Sequence, residues 1–307
     1  DAVTAFCESV DTTTLETAQS AWRQTRLAYK RTEVFAFGAH KEFPHRYGPA
    51  IDTWPAREED ILQLLDDSVE LSTEKITNGG ATKRGLPVLE WFLFAHPETL
   101  ISDTIGNPRR CEMLLAVSDD LSISAQGLAT RWSLDQGSFL RTLTEPETTQ
   151  GMYADTKESF TELVNRMWFI MENIQRDKLG RPLGNESNGN PQPENSESRF
   201  SSNALLDIEQ NLLMVADLFE ATDTRQGLIS HPRMAQRQDL IDSFRAQIIK
   251  TQESLAAIPP PLMTAVIDAP QSVQTTIDDF NVLQTLIQVD FLNTLALNAT
   301  FNDADGD

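Results

Sequence analysis

The sequence of 307 residues contains only two cysteines and no long hydrophobic run. Its longest mostly apolar run, residues 86–95, is interrupted by Glu90, whereas a membrane-spanning helix needs about 20 apolar residues. Basic residues are also scarce, because 25 lysines and arginines stand against 46 acidic residues, and none occurs after residue 250. The net charge of −21 argues against nucleic acid as a partner, since phosphate binding requires basic patches.

Cys7 and Cys111 leave two interpretations open. An even pair is typical of a disulfide in an oxidising compartment, and the alternative is two reduced thiols in the core. Two cysteines and four histidines without CxxC or HxxxH spacing cannot form a closed structural zinc site. The sequence also has no GxSxG, P-loop, GxGxxG or HExxH motif, so we predict no catalytic residues.

Hydrophobic residues recur at helical spacing along most of the chain. Leu15, Ala18, Trp22 and Tyr29 lie on one stripe, which predicts a helix over residues 13–35. No segment combines strand-like alternation with β-branched residues. The same period predicts five further helices, over residues 110–132, 153–174, 205–219, 234–257 and 273–295. We therefore predict an all-α protein.

The helical pattern is lost over residues 134–152, where we place a domain junction. We predict two helical-bundle domains, residues 1–145 and residues 146–307. The second holds four long helices and is predicted to be an up-down four-helix bundle. Residues 181–203 are rich in Asn, Ser, Gly and Pro, so we expect an exposed, mobile loop there.

Two charged residues interrupt the first apolar stripe. Arg26 and Glu33 share a helix face with Trp22 and Tyr29. Removing one partner of a buried ion pair costs about 3–5 kcal/mol, so a buried Arg26 must contact a carboxylate, a ligand or water. The alternative is an arginine at the edge of the stripe, with its charged end in solvent.

Glu90 lies in the almost wholly apolar segment 85–94. Pro87 suits the first turn of a helix, and a helix without a polar face should be buried on all sides. Glu90 then needs either a raised pKa or a nearby cation. The candidate cations are Arg26, Arg57 and Arg84, of which we favour Arg26. A functional carboxylate and a structural ion pair both remain open.

Glycine, proline and aromatic residues are frequent over residues 35–57, which predicts an ordered loop packed on the core. This segment includes Asp52, Trp54 and Arg57. Residues 302–307 are similar to the start of a calcium loop but lack the glutamate that would complete it. We expect a solvated acidic tail there.

In order along the chain, these motifs resemble those of the imelysin-like proteins. The matching residues are Trp22-x3-Arg26, Glu33 with Phe37-Gly38, Asp52-x-Trp54-Pro55, Gly85-Leu86-Pro87-Val88-Leu89-Glu90, Asp177-Lys178-Leu179-Gly180-x-Pro182 and the ending from Phe301 to Asp307. The resemblance covers essentially the whole chain. It implies two helical-bundle domains with the signature residues at their interface. It also implies a bacterial protein in the periplasm or cell envelope, with an outer-membrane lipid anchor, if any, outside the given chain.

The founding members of that family are described as insulin-cleaving metallopeptidases, and relatives are linked to iron regulation and uptake. The peptidase-type members carry GxHxxE, whose His and Glu are the presumed metal ligands. Here Pro87 stands in place of the histidine, and proline has no ligand atom. Glu90 is retained. A catalytic zinc needs three protein ligands and a water, so the resemblance does not extend to a hydrolytic centre.

We therefore expect an exported, non-catalytic imelysin-like protein that acts in iron-linked uptake without a cofactor. It would bind an unknown ligand or envelope protein at the inter-domain crevice. The expected ligand-binding residues are Arg26, Glu33, Asp52, Trp54, Arg57, Gly85, Pro87 and Glu90. Two alternatives remain, a diverged metallopeptidase that uses Glu90 and a distant histidine, and a purely structural helical bundle. Because export implies an oxidising compartment, we predict a disulfide between Cys7 and Cys111. The chain begins with Asp1 rather than Met, so we expect a mature or trimmed chain.

Overall fold

The computed structural model describes residues 1–66, 68, 71–135, 139–149 and 151–300. Across these ranges the regular elements are helices, apart from one isolated bridge between Thr222 and Arg225. The prediction of an all-α protein is confirmed. None of the described helices is both long and apolar enough to cross a membrane. The acidic tail considered as a calcium loop lies outside the described residues.

The chain divides into two compact units. The first unit comprises residues 1–27 and 36–140, and the second comprises residues 28–35 and the chain from 141 onward. The sequence predicts a junction over residues 134–152 and domains of residues 1–145 and 146–307, so it assigns residues 28–35 to the first domain. These residues join the second unit because Val34 is part of its hydrophobic core, on which Phe35 also packs.

Short helices surround one long helix in the first unit. The helices are α1 (Ala2–Glu8), α2 (Thr12–Lys30), α3 (Tyr47–Ile51), α4 (Glu58–Asp66), α5 (Thr73–Thr77), α6 (Gly85–Phe94), α7 (Leu100–Gly106), α8 (Arg109–Trp132) and α9 (Phe139–Thr144). The last residues of α2 and α9 belong to the second unit. Helix α8 packs against α1, α3, α5 and α6. A disulfide between Cys7 and Cys111 joins α1 to α8, as predicted, with 5.5 Å between the Cα atoms.

Helix α6 is buried on all sides, which confirms the expectation for an apolar helix without a polar face. All ten of its residues are buried. The helix begins at Gly85, whose φ is +77°, and a Cβ atom there would lie 2.3 Å from the carbonyl oxygen of Ile51. Only glycine fits this backbone conformation and this close approach. Pro87 follows in the first turn, where its missing N–H is not needed.

Four long helices surround the core of the second unit. The long helices are α10 (Thr156–Asn173), α12 (Ala204–Phe219), α13 (Gln238–Ala256) and α15 (Pro270–Thr285). Three short helices accompany them, namely α11 (Arg181–Leu183), α14 (Leu262–Asp268) and α16 (Leu292–Leu295). Helix α10 packs against α12 and α15, and α13 packs against the same two helices. Asp155 caps α10 by accepting a hydrogen bond from the Glu158 N–H at 2.8 Å.

Two of these helices continue as π-helix, which the hydrophobic period does not reveal. Helix α10 continues through a π-helical segment, Ile174–Gly180, and α15 continues through another, Leu286–Phe291. A π-helix has hydrogen bonds between residues i and i+5, is rare, and often occurs at functional sites. The first of these segments contains the motif residues Asp177 and Lys178.

The prediction of an exposed, mobile loop over residues 181–203 is wrong for its second half. Five polar residues are buried there, namely Ser196, Glu197, Ser198, Ser201 and Asn203. Asp207, also buried, accepts hydrogen bonds from Ser198 Oγ at 2.6 Å and from Asn203 Nδ2 at 2.7 Å. These bonds pair the side chains of Ser198, Asn203 and Asp207, so a segment of loop-like composition can be packed into the interior.

Candidate functional site

In the first unit, Arg26 forms a buried ion pair with Asp52. Arg26 Nη1 donates a hydrogen bond to Asp52 Oδ1 at 2.5 Å, and the two side chains are 2% and 4% exposed. The sequence predicts that a buried Arg26 must contact a carboxylate, a ligand or water, and Asp52 supplies the carboxylate. Two of the expected site residues are therefore in direct contact.

The signature residues of the first unit connect three segments around α6. On α2, Trp22 Nε1 donates to the carbonyl oxygen of Leu86 at 2.9 Å, and Arg26 lies one turn further along. Arg26 forms an ion pair with Asp52, which directly follows α3. The last residue of α3, Ile51, lies close to Gly85 at the start of α6. These contacts hold the start of α6 in place, so most of the signature in this unit has a positioning role.

Glu90 is buried in the middle of α6, with 4% of its surface exposed. Burial lowers the pKa of Arg23, and the negative charge of Glu90 opposes this effect, so the two side chains are electrostatic neighbours. Arg23 also lies 4.6 Å from the ring centre of Phe94. The sequence analysis did not consider Arg23. The favoured pairing of Glu90 with Arg26 stays a prediction.

The other two candidate cations have different environments. Arg84 binds Asp120 through two hydrogen bonds, from Nε at 2.7 Å and from Nη2 at 2.5 Å, and it also donates to Ser124 Oγ at 3.0 Å. Its charge is therefore compensated by Asp120. Arg57 is exposed, and Trp54 is half-buried. These two are the residues of the expected set in the first unit that are open to solvent contact.

In the second unit, Glu33 belongs to a network that we call the lysine–glutamate cluster, formed by Lys30, Glu33, Lys178, Glu197 and Asn211. Lys30 Nζ lies 2.6 Å from both Glu33 Oε1 and Glu197 Oε1. Lys178 Nζ lies 2.6 Å from Glu33 Oε2 and 3.4 Å from Glu197 Oε2. Each lysine thus contacts both glutamates, and the four charges balance.

Asn211 adds three hydrogen bonds to the cluster. Its Nδ2 donates to Glu33 Oε2 and to the backbone carbonyl of Lys30, both at 2.7 Å, and its Oδ1 accepts from Lys178 Nζ at 2.8 Å. Lys178 comes from the π-helical segment, in which a Cβ atom at Gly180 would lie 2.4 Å from the carbonyl oxygen of Gln175. The glycine of the motif is therefore needed for the backbone geometry that positions Lys178.

Glu33 is held in its ionised form. Burial by itself would raise its pKa, but the ammonium groups of Lys178 and Lys30 outweigh this effect and lower the pKa to about 2. Such a carboxylate is a weak general base near neutral pH. Its side chain is 17% exposed, more than those of Lys30, Lys178 and Glu197. The cluster can therefore present one fixed negative charge and hydrogen-bond acceptor, and it provides no nucleophile.

Four residues of the cluster are not among the site residues predicted from the sequence, namely Lys30, Lys178, Glu197 and Asn211. Lys30 lies four residues after Arg26, so its position on the same helix face is a usable signal. Lys178 belongs to a quoted motif, which is also a signal. Glu197 lies in a polar stretch of ordinary loop composition, and nothing local distinguishes it. Its role depends on a contact across 167 residues of sequence, with Lys30.

The surroundings of Glu90 do not fit a catalytic metal ion. Pro87, one turn earlier on α6, has no side-chain donor atom. Within the described ranges, Glu90 belongs to no group of three His, Cys, Asp or Glu side chains close enough to share an ion. A catalytic zinc site keeps three protein ligands and an open position for water, and α6 is buried on all sides. No hydrolytic step can therefore be assigned to Glu90.

One protein of similar sequence aligns with most of this chain. Iron-regulated protein A of Synechococcus elongatus is 28% identical over 261 residues, which cover 81% of this chain and 66% of that protein. The chain therefore spans slightly less than two thirds of the length of this relative.

Two solved structures have a similar fold. An imelysin-like protein from Psychrobacter arcticum superposes with a TM-score of 0.78 at 16% identity, covering 98% of this chain and 88% of its own. A putative iron-regulated protein A precursor from Parabacteroides distasonis superposes with a TM-score of 0.77 at 21% identity, covering 96% of this chain and 87% of its own. The Imelysin family model matches residues 1–288. Because this match extends over nearly the whole sequence, the chain belongs to the imelysin family.

Proposed function

We propose that this protein is a non-catalytic imelysin-family protein that binds a ligand or partner in an iron-linked process of the bacterial cell envelope. The observation that carries the proposal is the environment of Glu90. Pro87 replaces the metal-binding histidine of the peptidase signature, and no described side chains complete a ligand set around Glu90. We therefore assign no hydrolytic role to this motif segment.

The disulfide and the relatives support the location and the process. Disulfides persist in oxidising compartments such as the periplasm and are rare in the cytosol, and Cys7 is bonded to Cys111. Iron-regulated protein A, to which the chain is similar, carries iron regulation in its name. We extend an iron-linked role to this chain on that basis.

Exposure separates the expected binding residues by role. Gly85, Pro87 and Glu90 are buried in α6, so we assign them to the scaffold, together with the pair of Arg26 and Asp52. In the first unit, Trp54 and Arg57 remain accessible for ligand contact.

In the second unit, we assign ligand contact to Glu33, because it is the most exposed charge of the lysine–glutamate cluster and is ionised at neutral pH. A fixed carboxylate of this kind suits a ligand that presents a positive charge or hydrogen-bond donors.

The first experiment separates this proposal from a diverged metallopeptidase. The protein, a Glu90→Gln variant and a control variant of the exposed Glu98, Glu98→Gln, are dialysed against zinc and analysed for metal. Each is then incubated with oxidised insulin B chain. We expect no stoichiometric zinc that depends on Glu90 and no cleavage. Zinc or cleavage that is lost in Glu90→Gln and retained in Glu98→Gln would establish the peptidase instead.

The second experiment separates ligand binding from a purely structural bundle. The unfolding temperature is measured with ferric citrate and with ferrous sulfate for the unmodified protein and for Glu33→Gln. A ligand at 100 times its Kd stabilises a protein by about 2.7 kcal/mol. We expect at least one probe to raise the unfolding temperature, with a smaller rise in Glu33→Gln. The absence of a shift with both probes would support the structural interpretation.

A further inference from the structure

Arg110 is a buried arginine whose charge has no paired carboxylate among the residues that the structure describes. In the described part of the chain three arginines are buried, Arg26, Arg84 and Arg110, and all three lie in the first unit. Arg26 is paired with Asp52, and Arg84 is paired with Asp120. The guanidinium of Arg110, a residue that is 9% exposed, forms no hydrogen bond and no ion pair with any described residue.

Two aromatic rings hold the guanidinium of Arg110 in place. Its Cζ lies 5.2 Å from the ring centres of both Trp91 and Phe92, which are neighbours on α6. The Nε atom is completely buried without an acceptor, whereas the two terminal nitrogens are not fully shielded from water. Cation–π attraction compensates part of the lost hydration. It leaves the hydrogen-bonding capacity of the guanidinium unused among the described residues, and the two terminal nitrogens are the atoms that a ligand from solvent can reach.

The nearby acidic residues do not fill this role. Burial lowers the pKa of Arg110, and the charge of Asp103 opposes this effect from a distance. Asp103 is itself exposed and accepts a hydrogen bond from Thr99 Oγ1 at 2.7 Å. Glu112, in the same turn of α8, lies 3.8 Å from Arg109. The chain contains 46 acidic residues, and none of those that the structure describes forms an ion pair with Arg110.

The position of Arg110 in α8 adds to the positive potential. Arg110 lies in the first turn of this long helix. The helix dipole places a partial positive charge there, which disfavours a cation and favours an anion. A buried, unpaired guanidinium at this end of a helix is therefore a costly arrangement for the protein alone. An anion bound from solvent would relieve it.

We propose that Arg110 is the anchor of an oxyanion site in the first unit, which binds a carboxylate or phosphate group through the two terminal guanidinium nitrogens. The planar guanidinium matches both groups by two parallel hydrogen bonds. Trp91 and Phe92 orient the guanidinium, and the ligand contacts its two terminal nitrogens. This site is independent of the function proposed above, because none of its residues contributes to the lysine–glutamate cluster.

The test measures the unfolding temperature while sodium chloride is replaced by sodium acetate or sodium phosphate. The ionic strength is kept near 0.15 M, where the Debye length of about 8 Å screens the net negative charge of the protein. Four proteins are compared, the unmodified chain, Arg110→Met, Arg110→Lys and the neighbouring control Arg109→Gln. We expect a saturable rise with at least one of the two oxyanions in the unmodified chain and in Arg109→Gln.

In Arg110→Met we expect this rise to disappear, because methionine keeps a long side chain against the rings without a charge. In Arg110→Lys, which keeps the charge but not the planar fork, the half-saturating concentration should increase at least tenfold. Comparison of acetate with phosphate identifies which group is preferred. Isothermal titration of the unmodified chain with the preferred anion measures binding directly, so the result does not depend on how well Arg110→Met folds. Equal rises in unfolding temperature in the unmodified chain and both Arg110 variants, or no heat of binding, would refute the proposed site.

Discussion

Replacing Glu33 by glutamine should destabilise the protein in a pH-dependent way. The change removes one negative charge from the lysine–glutamate cluster, so Lys30 and Lys178 then share only Glu197. The two lysines lower the pKa of Glu33 from 4.5 to about 2. At 1.36 kcal/mol per pH unit, this corresponds to about 3 kcal/mol of stability at pH 7. Because the side chain is only 17% exposed, solvent screening reduces this value little.

The pH dependence follows from the direction of the shift. A carboxylate whose pKa is lowered on folding stabilises the folded state above its unfolded pKa, here 4.5. This contribution decreases as the pH falls below 4.5 and is lost near the folded pKa of about 2. Glutamine does not titrate. The difference in unfolding free energy between the unmodified protein and Glu33→Gln should therefore be about 3 kcal/mol above pH 5.5 and should shrink steadily toward pH 2.

The measurement is urea unfolding of both proteins at several pH values between 7 and 3. A Glu253→Gln variant serves as the control, because Glu253 is an exposed helical glutamate of the same unit. Surface substitutions usually change stability by less than about 0.5 kcal/mol, and we expect that result at each pH. A difference below about 1 kcal/mol for Glu33→Gln at pH 7, or one that does not change between pH 6 and pH 3, would refute this account of the cluster.

Three further predictions concern the first unit. Single changes Arg26→Met and Asp52→Asn should each cost about 3–5 kcal/mol in urea unfolding, and the double variant should lose much less than their sum, because each single change removes one partner of a buried ion pair. Reduction of the disulfide between Cys7 and Cys111 should lower the unfolding free energy by about 4–5 kcal/mol, since these residues are separated by 104 positions. The change Gly85→Ala should cost at least about 3 kcal/mol, because the added Cβ atom meets a backbone carbonyl at 2.3 Å and φ is positive.

Each of these predictions has a result that would contradict it. Strictly additive losses for Arg26→Met and Asp52→Asn would mean that the two residues do not act as a pair. Thiol titration of the unreduced, denatured protein should find no free thiol, and two free thiols would disprove the bond. Gly80→Ala is the control for Gly85→Ala, since Gly80 also has a positive φ, of +91°, but has no neighbour within 4 Å of the added atom. Equal losses for both variants would show that the close approach at Gly85 does not matter.

The exposure of the signature residues changes how the motif is interpreted. Trp22, Arg26, Asp52 and Gly85 contact one another or the same short backbone segments. Few side chains can form a buried ion pair or fit a close backbone approach. The signature pattern in the sequence therefore indicates residues that hold α6 in place as much as it indicates a ligand site.

The sequence by itself determines the local features of this protein. The repeated 3.6-residue period predicts the long helices, because the side of a helix that faces the core is set by residues three and four positions apart. The apolar composition of α6 predicts its complete burial. The position of Arg26 on an apolar stripe predicts that it must meet a partner, because an unpaired buried charge is costly. None of these inferences requires knowledge of a distant segment.

The tertiary structure decides which partner each buried charge has. Arg26 contacts Asp52, 26 positions along the chain, and Lys178 contacts Glu33 across 145 positions of sequence. Glu197 is buried although its surroundings have the composition of an exposed loop. Such pairings depend on how separate segments pack in three dimensions. The pattern of neighbouring residues does not predict that packing. Hydrogen bonds and ion pairs depend on the distance between two groups in space and not on their separation along the chain.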